Sequence, residues 1–186
     1  MRIITGKARG ARLKAPKGLS TRPTSDRVKE SLFSILGGRV VGCRVLDLFA
    51  GTGSRGVEAL SRGASFAVLV DRATGNLLRD NAEHTRLAES ARVMRGDVFA
   101  SLSRLVAEGE RFDLVFCDPP YAKGLWERTL AMLDTSPVLS DGALVVAECG
   151  GDERTVPPLS RLSLSREEHY GHTTLVRIFA AREDGV

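Results

Sequence analysis

The chain has 186 residues, of which 42% are hydrophobic and 27% charged, with a formal net charge of +4. That length suits one domain with a substantial core, and the composition excludes disordered, fibrous and collagenous classes. No apolar run reaches the ~18 residues of a membrane span; the basic N-terminus lacks the apolar stretch of a secretory signal, Gly6, Gly10, Pro16 and Gly18 interrupt any transit-peptide helix, and a cytoplasmic, membrane-free protein is expected.

The first element is a basic extension over residues 1–22. It holds Arg2, Lys7, Arg9, Arg12, Lys14, Lys17 and Arg22 with no acidic residue, and Gly6 and Gly10 bracket a hairpin turn. Residues 1–44 carry eleven Lys/Arg against two acidic residues, whereas the rest of the chain carries sixteen against twenty-one. A cationic arm on a mildly acidic body fits a polyanion met by one face, and charge alone leaves open a solvated hairpin with no partner. Residues 23–186 read as the main globular domain. It opens with a helix over Thr24–Leu36, where Val28, Leu32, Ile35 and Leu36 recur at helical spacing and Thr24, Ser25 or Asp26 can cap.

From residue 44 onward, short apolar runs alternate with helical stretches. Strands are predicted at Val45–Phe49, Phe66–Val70, Arg92–Met94, Phe112–Cys117 and Ala143–Ala147. The helices between them are Ser54–Arg62 closed by Gly63, Thr74–Leu87, Phe99–Glu108 and Leu125–Leu133. This alternation implies right-handed crossovers and a doubly wound, mostly parallel α/β sheet. Leu162–Leu164 and Thr174–Phe179 read as a terminal antiparallel pair, with the turn at His169–His172. Cys43, Cys117 and Cys149 are far apart, odd in number and without a C-x-x-C pair. They imply neither disulfides nor a zinc site and read as buried small hydrophobes. Trp126 reads as a packing residue, and His84, His169 and His172 as solvated.

The first strand runs into Asp47-Leu48-Phe49-Ala50-Gly51-Thr52-Gly53-Ser54-Arg55-Gly56. Glycines at this spacing let the backbone turn sharply and approach a ligand at a helix N-terminus, as in dinucleotide-binding proteins. Asp71 closes the second strand, twenty positions after Gly51, where a carboxylate can hold a ribose diol; Asp97, before Val98, can reach an adenine amine. Those residues fit either a nicotinamide dinucleotide or S-adenosylmethionine (SAM), since both carry adenosine. Asp47 favours SAM, because a carboxylate there attracts an ammonium group and repels a pyrophosphate.

Asp118-Pro119-Pro120-Tyr121 follows the fourth strand. Residue usage gives this tetrapeptide about once in a thousand chains of this length. Two prolines fix φ and offer no N–H, so the loop is stiff and presents carbonyls. An exocyclic base amine is a poor nucleophile, its lone pair being delocalised into the ring. The Asp118 carboxylate and Pro119 carbonyl can accept its two hydrogens and raise electron density on nitrogen as positive charge develops. Tyr121 can stack on a base that has left its helix. Neither a metal nor a protein nucleophile is required.

Asp47–Gly56 followed by Asp118–Tyr121 resembles the SAM-dependent amino-methyltransferases. Arg2–Gly6, Arg12–Pro16, Thr21–Phe33 and Tyr170–Thr173 are similar to the bacterial 16S ribosomal RNA guanine-N2 methyltransferase family (RsmD), over essentially the whole chain. The resemblance implies a seven-stranded sheet of order 3-2-1-4-5-7-6, SAM as cofactor and one guanine of small-subunit rRNA as target. A partly assembled subunit would be the substrate and the protein a monomer. It also implies Asp118–Tyr121 as the catalytic motif, Asp47, Phe49–Gly53, Asp71, Asp97 and Val98 around the cofactor, and the arm's basic residues with Thr24 on RNA. One departure is Leu69, where the family has Glu two positions before the Asp of strand two, so the ribose contact falls to Asp71 or another residue. Rival readings are a DNA or RNA adenine-N6 methyltransferase, a nicotinamide-dependent oxidoreductase, and a non-catalytic rRNA-binding assembly factor.

Overall fold

A computed structural model describes residues 1–16, 26–120, 124–150 and 155–182. The chain divides into two compact units, Met1–Val98 and Phe99–Val186. Among the described residues seven strands, numbered in chain order, lie in the order 3-2-1-4-5-7-6, the order that the resemblance implied. No helix among the described residues is long and apolar enough to cross a membrane.

In the first unit, β1 (Arg44–Leu48), β2 (Phe66–Asp71) and β3 (Ala91–Arg95) pair in parallel. Val45, Leu46 and Leu48 of β1 and Ala67–Val70 of β2 are buried on both faces of the sheet. Such continuous apolar runs are what helices packed on both sides of parallel strands require. The helix α1 spans Asp26–Leu36 and buries Lys29, Leu32, Phe33 and Leu36. The expected stripe through Val28 and Ile35 is therefore rotated by about one position, and a lysine occupies its first place.

The helices α2 (Ser54–Ser61) and α3 (Gly75–His84) end by the same device. Past α2, Gly63 (φ 105) sends its N–H to Leu60 O and Ala64 sends its N–H to Ala59 O. Past α3, Arg86 (φ 59) bonds to Glu83 O and Leu87 to Ala82 O. Both are Schellman stops built on one left-handed residue. The helix expected to run through Leu87 stops short because Arg86 takes the conformation usually left to glycine. Chain residues Ala88–Ser90 then form a 3-10 turn.

The helix α4 (Val98–Ala107) begins on the last residue of the first unit; in the second unit, β4 (Phe112–Cys117) pairs in parallel with β5 (Leu139–Gly150), and α5 covers Leu125–Thr135. The strand β7 (Thr174–Ala181) lies antiparallel between β5 and β6 (Leu162–Tyr170). Nine residues long, β6 far exceeds the predicted Leu162–Leu164, and it takes in His169, which had been expected in the turn; the turn itself is Gly171–Thr173. Most β6 side chains are exposed, so hydrophobic alternation could not mark them. Asp134, near the end of α5, anchors the start of this strand. Burial alone would raise its carboxyl, but donors from Ser160 (N–H and hydroxyl), Leu162 and Arg161 at 2.7–2.9 Å outweigh that and hold it below the ordinary aspartate value. Cys43, Cys117 and Cys149 are buried and in no disulfide.

Candidate functional site

After β1 the backbone takes positive φ at alternate residues: Phe49 (59°), Gly51 (58°) and Gly53 (78°). Such alternation turns successive N–H groups toward one side and forms a concave nest. A bulky residue with left-handed φ is strained, and strain of this kind is kept at ligand-contacting turns. The strain at Phe49 is held by its surroundings. Ala50 donates to Val70 O at 3.0 Å, Gly53 to Ala50 O at 2.7 Å, and Gly51 to Asp71 Oδ2 at 3.0 Å. Asp71 Oδ1 accepts the N–H groups of Ala73 (2.8 Å) and Thr74 (3.0 Å) as well. One carboxylate thus ties the glycine turn to the loop after β2.

Asp47 is 1% exposed, and its Oδ2 accepts the Gly56 N–H at 2.9 Å. Gly53, the residue before α2, has no side chain to cap it, so Asp47 reaches across from the strand to satisfy an otherwise orphan donor in the first turn. The approach is close: a Cβ on Gly56 would lie 2.2 Å from Leu69 Cδ2 and 3.1 Å from Asp47 Oδ2. Leu69, fully buried and in register with Asp47, forms the floor beneath α2. The outward side is open, since a Cβ on Gly51 would meet nothing nearer than Phe49 O at 4.0 Å. Asp97 is exposed at the end of β3, and Val98 is buried at the start of α4.

The basic arm folds back along the same unit. Arg2 bridges Arg12, with Ile3 N–H on Ala11 O, Gly10 N–H on Ile3 O and Leu13 N–H on Met1 O. Ile3, Ala8 and Leu13 are buried, whereas Arg2, Lys7, Arg9, Arg12 and Lys14 are exposed. Buried polar groups that sequence reasoning missed fasten the arm's backbone. Glu58 accepts Ile4 N–H (2.8 Å), Thr5 N–H (3.1 Å), Arg62 Nε (2.8 Å) and Lys29 Nζ (3.2 Å). Ser61 Oγ accepts Ala8 N–H (2.9 Å) and donates to Thr5 O (2.6 Å), and a Cβ on Gly6 would overlap Ser61 O. Lys29 Nζ also donates to Arg2 O and Ser54 Oγ. The available signal was a charged residue on each buried helix face, Lys29 on α1 and Glu58 on α2. Outward, Arg2 pairs with Asp26 (3.1 Å) and Lys14 with Asp80 (3.4 Å), exposed contacts worth little individually. Lys17, Arg22 and Thr24 lie outside the described residues.

In the second unit, Asp118 is half-buried at the end of β4, Pro119 is buried and Pro120 exposed; Tyr121 lies outside the described residues. α5 starts after Gly124 (φ 60), with Trp126 1% exposed beneath the Arg177 guanidinium (5.2 Å). Trp126 is thus a core residue, as expected. Arg177, itself buried, bonds Glu167 Oε2 at 2.8 Å and holds that carboxyl below the ordinary glutamate value. Arg128 lies over the Phe99 ring at 3.8 Å.

Residues 1–179 match the family described as Conserved hypothetical protein 95. The Ribosomal RNA small subunit methyltransferase D of Escherichia coli K12 is 39% identical over 173 residues, covering 92% of this chain and 85% of that protein. The solved structure of yhhF from Escherichia coli superposes with a TM-score of 0.86 at 38% identity, over 99% of each chain. An RNA methyltransferase from Salinibacter ruber, solved with S-adenosyl-L-homocysteine, has a TM-score of 0.65 at 18% identity, covering 88% of this chain and 96% of that one, a likeness of fold.

Proposed function

The chain belongs to the family described as Conserved hypothetical protein 95, and from that premise we propose that it transfers a methyl group from SAM to the exocyclic N2 amine of a guanine in small-subunit (16S) rRNA. The observation that carries this reading is Asp118-Pro119-Pro120-Tyr121 at the end of β4, in a chain that also carries the strained Phe49–Gly53 turn after β1. The enzyme acts as a cytoplasmic monomer on a partly assembled subunit.

The residues present fit the cofactor. The open side of Gly51 admits close approach to the backbone, and the buried Asp47 charge behind the turn suits an ammonium group and opposes a pyrophosphate. Phe49–Gly53 would hold the methionine end, Asp71 the ribose side, and Asp97 with Val98 the adenine. When bound, SAM supplies an electrophilic methyl on a sulfonium. Asp118 and the Pro119 carbonyl accept the two amine hydrogens, so that the nitrogen lone pair points at the incoming carbon. Tyr121 stacks on the extruded base.

The deciding experiment is nucleoside mass spectrometry of 16S rRNA from cells with and without the gene. Loss of one N2-methylguanine is expected. Loss of an N6-methyladenine, or an unchanged rRNA, would overturn the reading.

The arm, through Arg2, Lys7, Arg9, Arg12 and Lys14 together with Lys17, Arg22 and Thr24, tracks RNA phosphates. Deleting it would remove two backbone donors from Glu58 and one backbone acceptor from Lys29, so charge neutralisation is the sounder test. Lys7→Gln, Arg9→Gln and Arg12→Gln combined should weaken rRNA binding and flatten the plot of log K against log[salt] by about 2, because fewer counterions are released. A wild-type slope in a folded triple variant would assign RNA binding to another surface.

A further inference from the structure

Asn81, on α3, is 0% exposed and is hydrogen-bonded on both sides of its amide. Its Oδ1 accepts the Lys14 N–H at 2.8 Å, while its Nδ2 donates to Lys14 O at 3.1 Å and to Thr52 O at 2.9 Å. One donor faces the oxygen and two carbonyls face the nitrogen, so the orientation of the amide is determined. The two Lys14 bonds imitate the exchange between opposed strand residues and fix the far end of the arm. The third bond holds the cofactor turn. The near end of the arm meets that turn too, with Thr52 Oγ1 3.4 Å from Met1 Sδ, and Lys29 Nζ joining Arg2 O to Ser54 Oγ.

We propose that Asn81 is a positioning residue that sets the register between the RNA-binding arm and the cofactor turn and so couples the binding of the two. The proposal rests on the function proposed above. Any movement of the Thr52 carbonyl as the turn adjusts to a ligand must rotate the Asn81 amide or break a buried hydrogen bond, and rotation shifts the Lys14 peptide. A ligand that draws the Thr52 carbonyl into its bound position thereby sets the Asn81 amide and the Lys14 peptide, so the second ligand meets a junction already in its bound register. The effect is necessarily reciprocal.

The test uses the full chain, a 16S rRNA transcript and S-adenosylhomocysteine. Wild-type protein should bind the transcript about fivefold tighter with saturating S-adenosylhomocysteine than without it. Asn81→Ala should bind each alone and show equal rRNA affinities with and without the nucleoside, an effect that lowered stability alone would not produce. Should that variant fail to fold, amide exchange in the wild type decides: S-adenosylhomocysteine should slow exchange of the Lys14 N–H together with those of Gly51–Gly53. Wild-type coupling retained in Asn81→Ala, or protection confined to Gly51–Gly53, would overturn the proposal. Wild-type protein that binds no S-adenosylhomocysteine or no rRNA would overturn the functional reading and this proposal with it.

Discussion

Asp118→Ala is expected to lower the methyl-transfer rate by about 10²-fold or more while S-adenosylhomocysteine binds as it does to the wild type. The asymmetry follows from when its hydrogen bond matters. In the proposed reaction the target amine begins as a neutral donor and gains positive charge as the new N–C bond forms, so the contact with a carboxylate strengthens toward the transition state. Pro119 offers a second acceptor from the backbone, which the substitution leaves in place, so residual activity is expected. Single-turnover transfer of labelled methyl to a 16S rRNA transcript, with calorimetric titration of S-adenosylhomocysteine, checks both halves. A variant with the wild-type rate would remove Asp118 from the chemistry.

Glu58→Ala is expected to cost about 3–5 kcal/mol, the usual result of leaving one member of a buried ion pair alone. Glu58 accepts from two arm N–H groups, Arg62 and Lys29, and both it and Lys29 are 0% exposed. Burial pushes the Lys29 ammonium below the ordinary lysine value of 10.5, and Glu58 restores only part of the loss. A base with a depressed folded pKa binds fewer protons folded than unfolded between its folded value and the ordinary one, so stability rises with pH across that window. Without Glu58 the depression deepens and the window widens. The difference between variant and wild type in urea unfolding should therefore narrow as pH rises above neutrality. A variant as stable as the wild type at neutral pH would show that the arm is fastened without this pair.

The parallel strands were legible in the sequence because burial on both faces leaves unbroken apolar runs, as at Ala67–Val70 and Leu114–Cys117. Helix ends were legible where glycine marked them, at Gly63, and not where Arg86 did the same work. The edge strand β6 was mostly hidden because its side chains face water. At the candidate site, the glycine turn and Asp118–Tyr121 stood out because their chemistry is rare in local sequence. Glu58, Ser61 and Asn81 did not, because each acts on backbone groups 53–67 positions away, a relation that no local pattern encodes. The hydrogen bonds of Asp47 and Asp71 to Gly56 and Gly51 were invisible for the same reason.

The same water-facing β6 is the last strand in the sheet order, and such a strand is a template on which another chain can add. Its exposed side chains include Arg166, Glu167 and His169, and its register with β7 shifts between Leu164 and Arg166. Another strand docking there would have to desolvate those charges and follow a kinked line of backbone donors. This border of the sheet therefore discourages templated growth between neighbouring molecules.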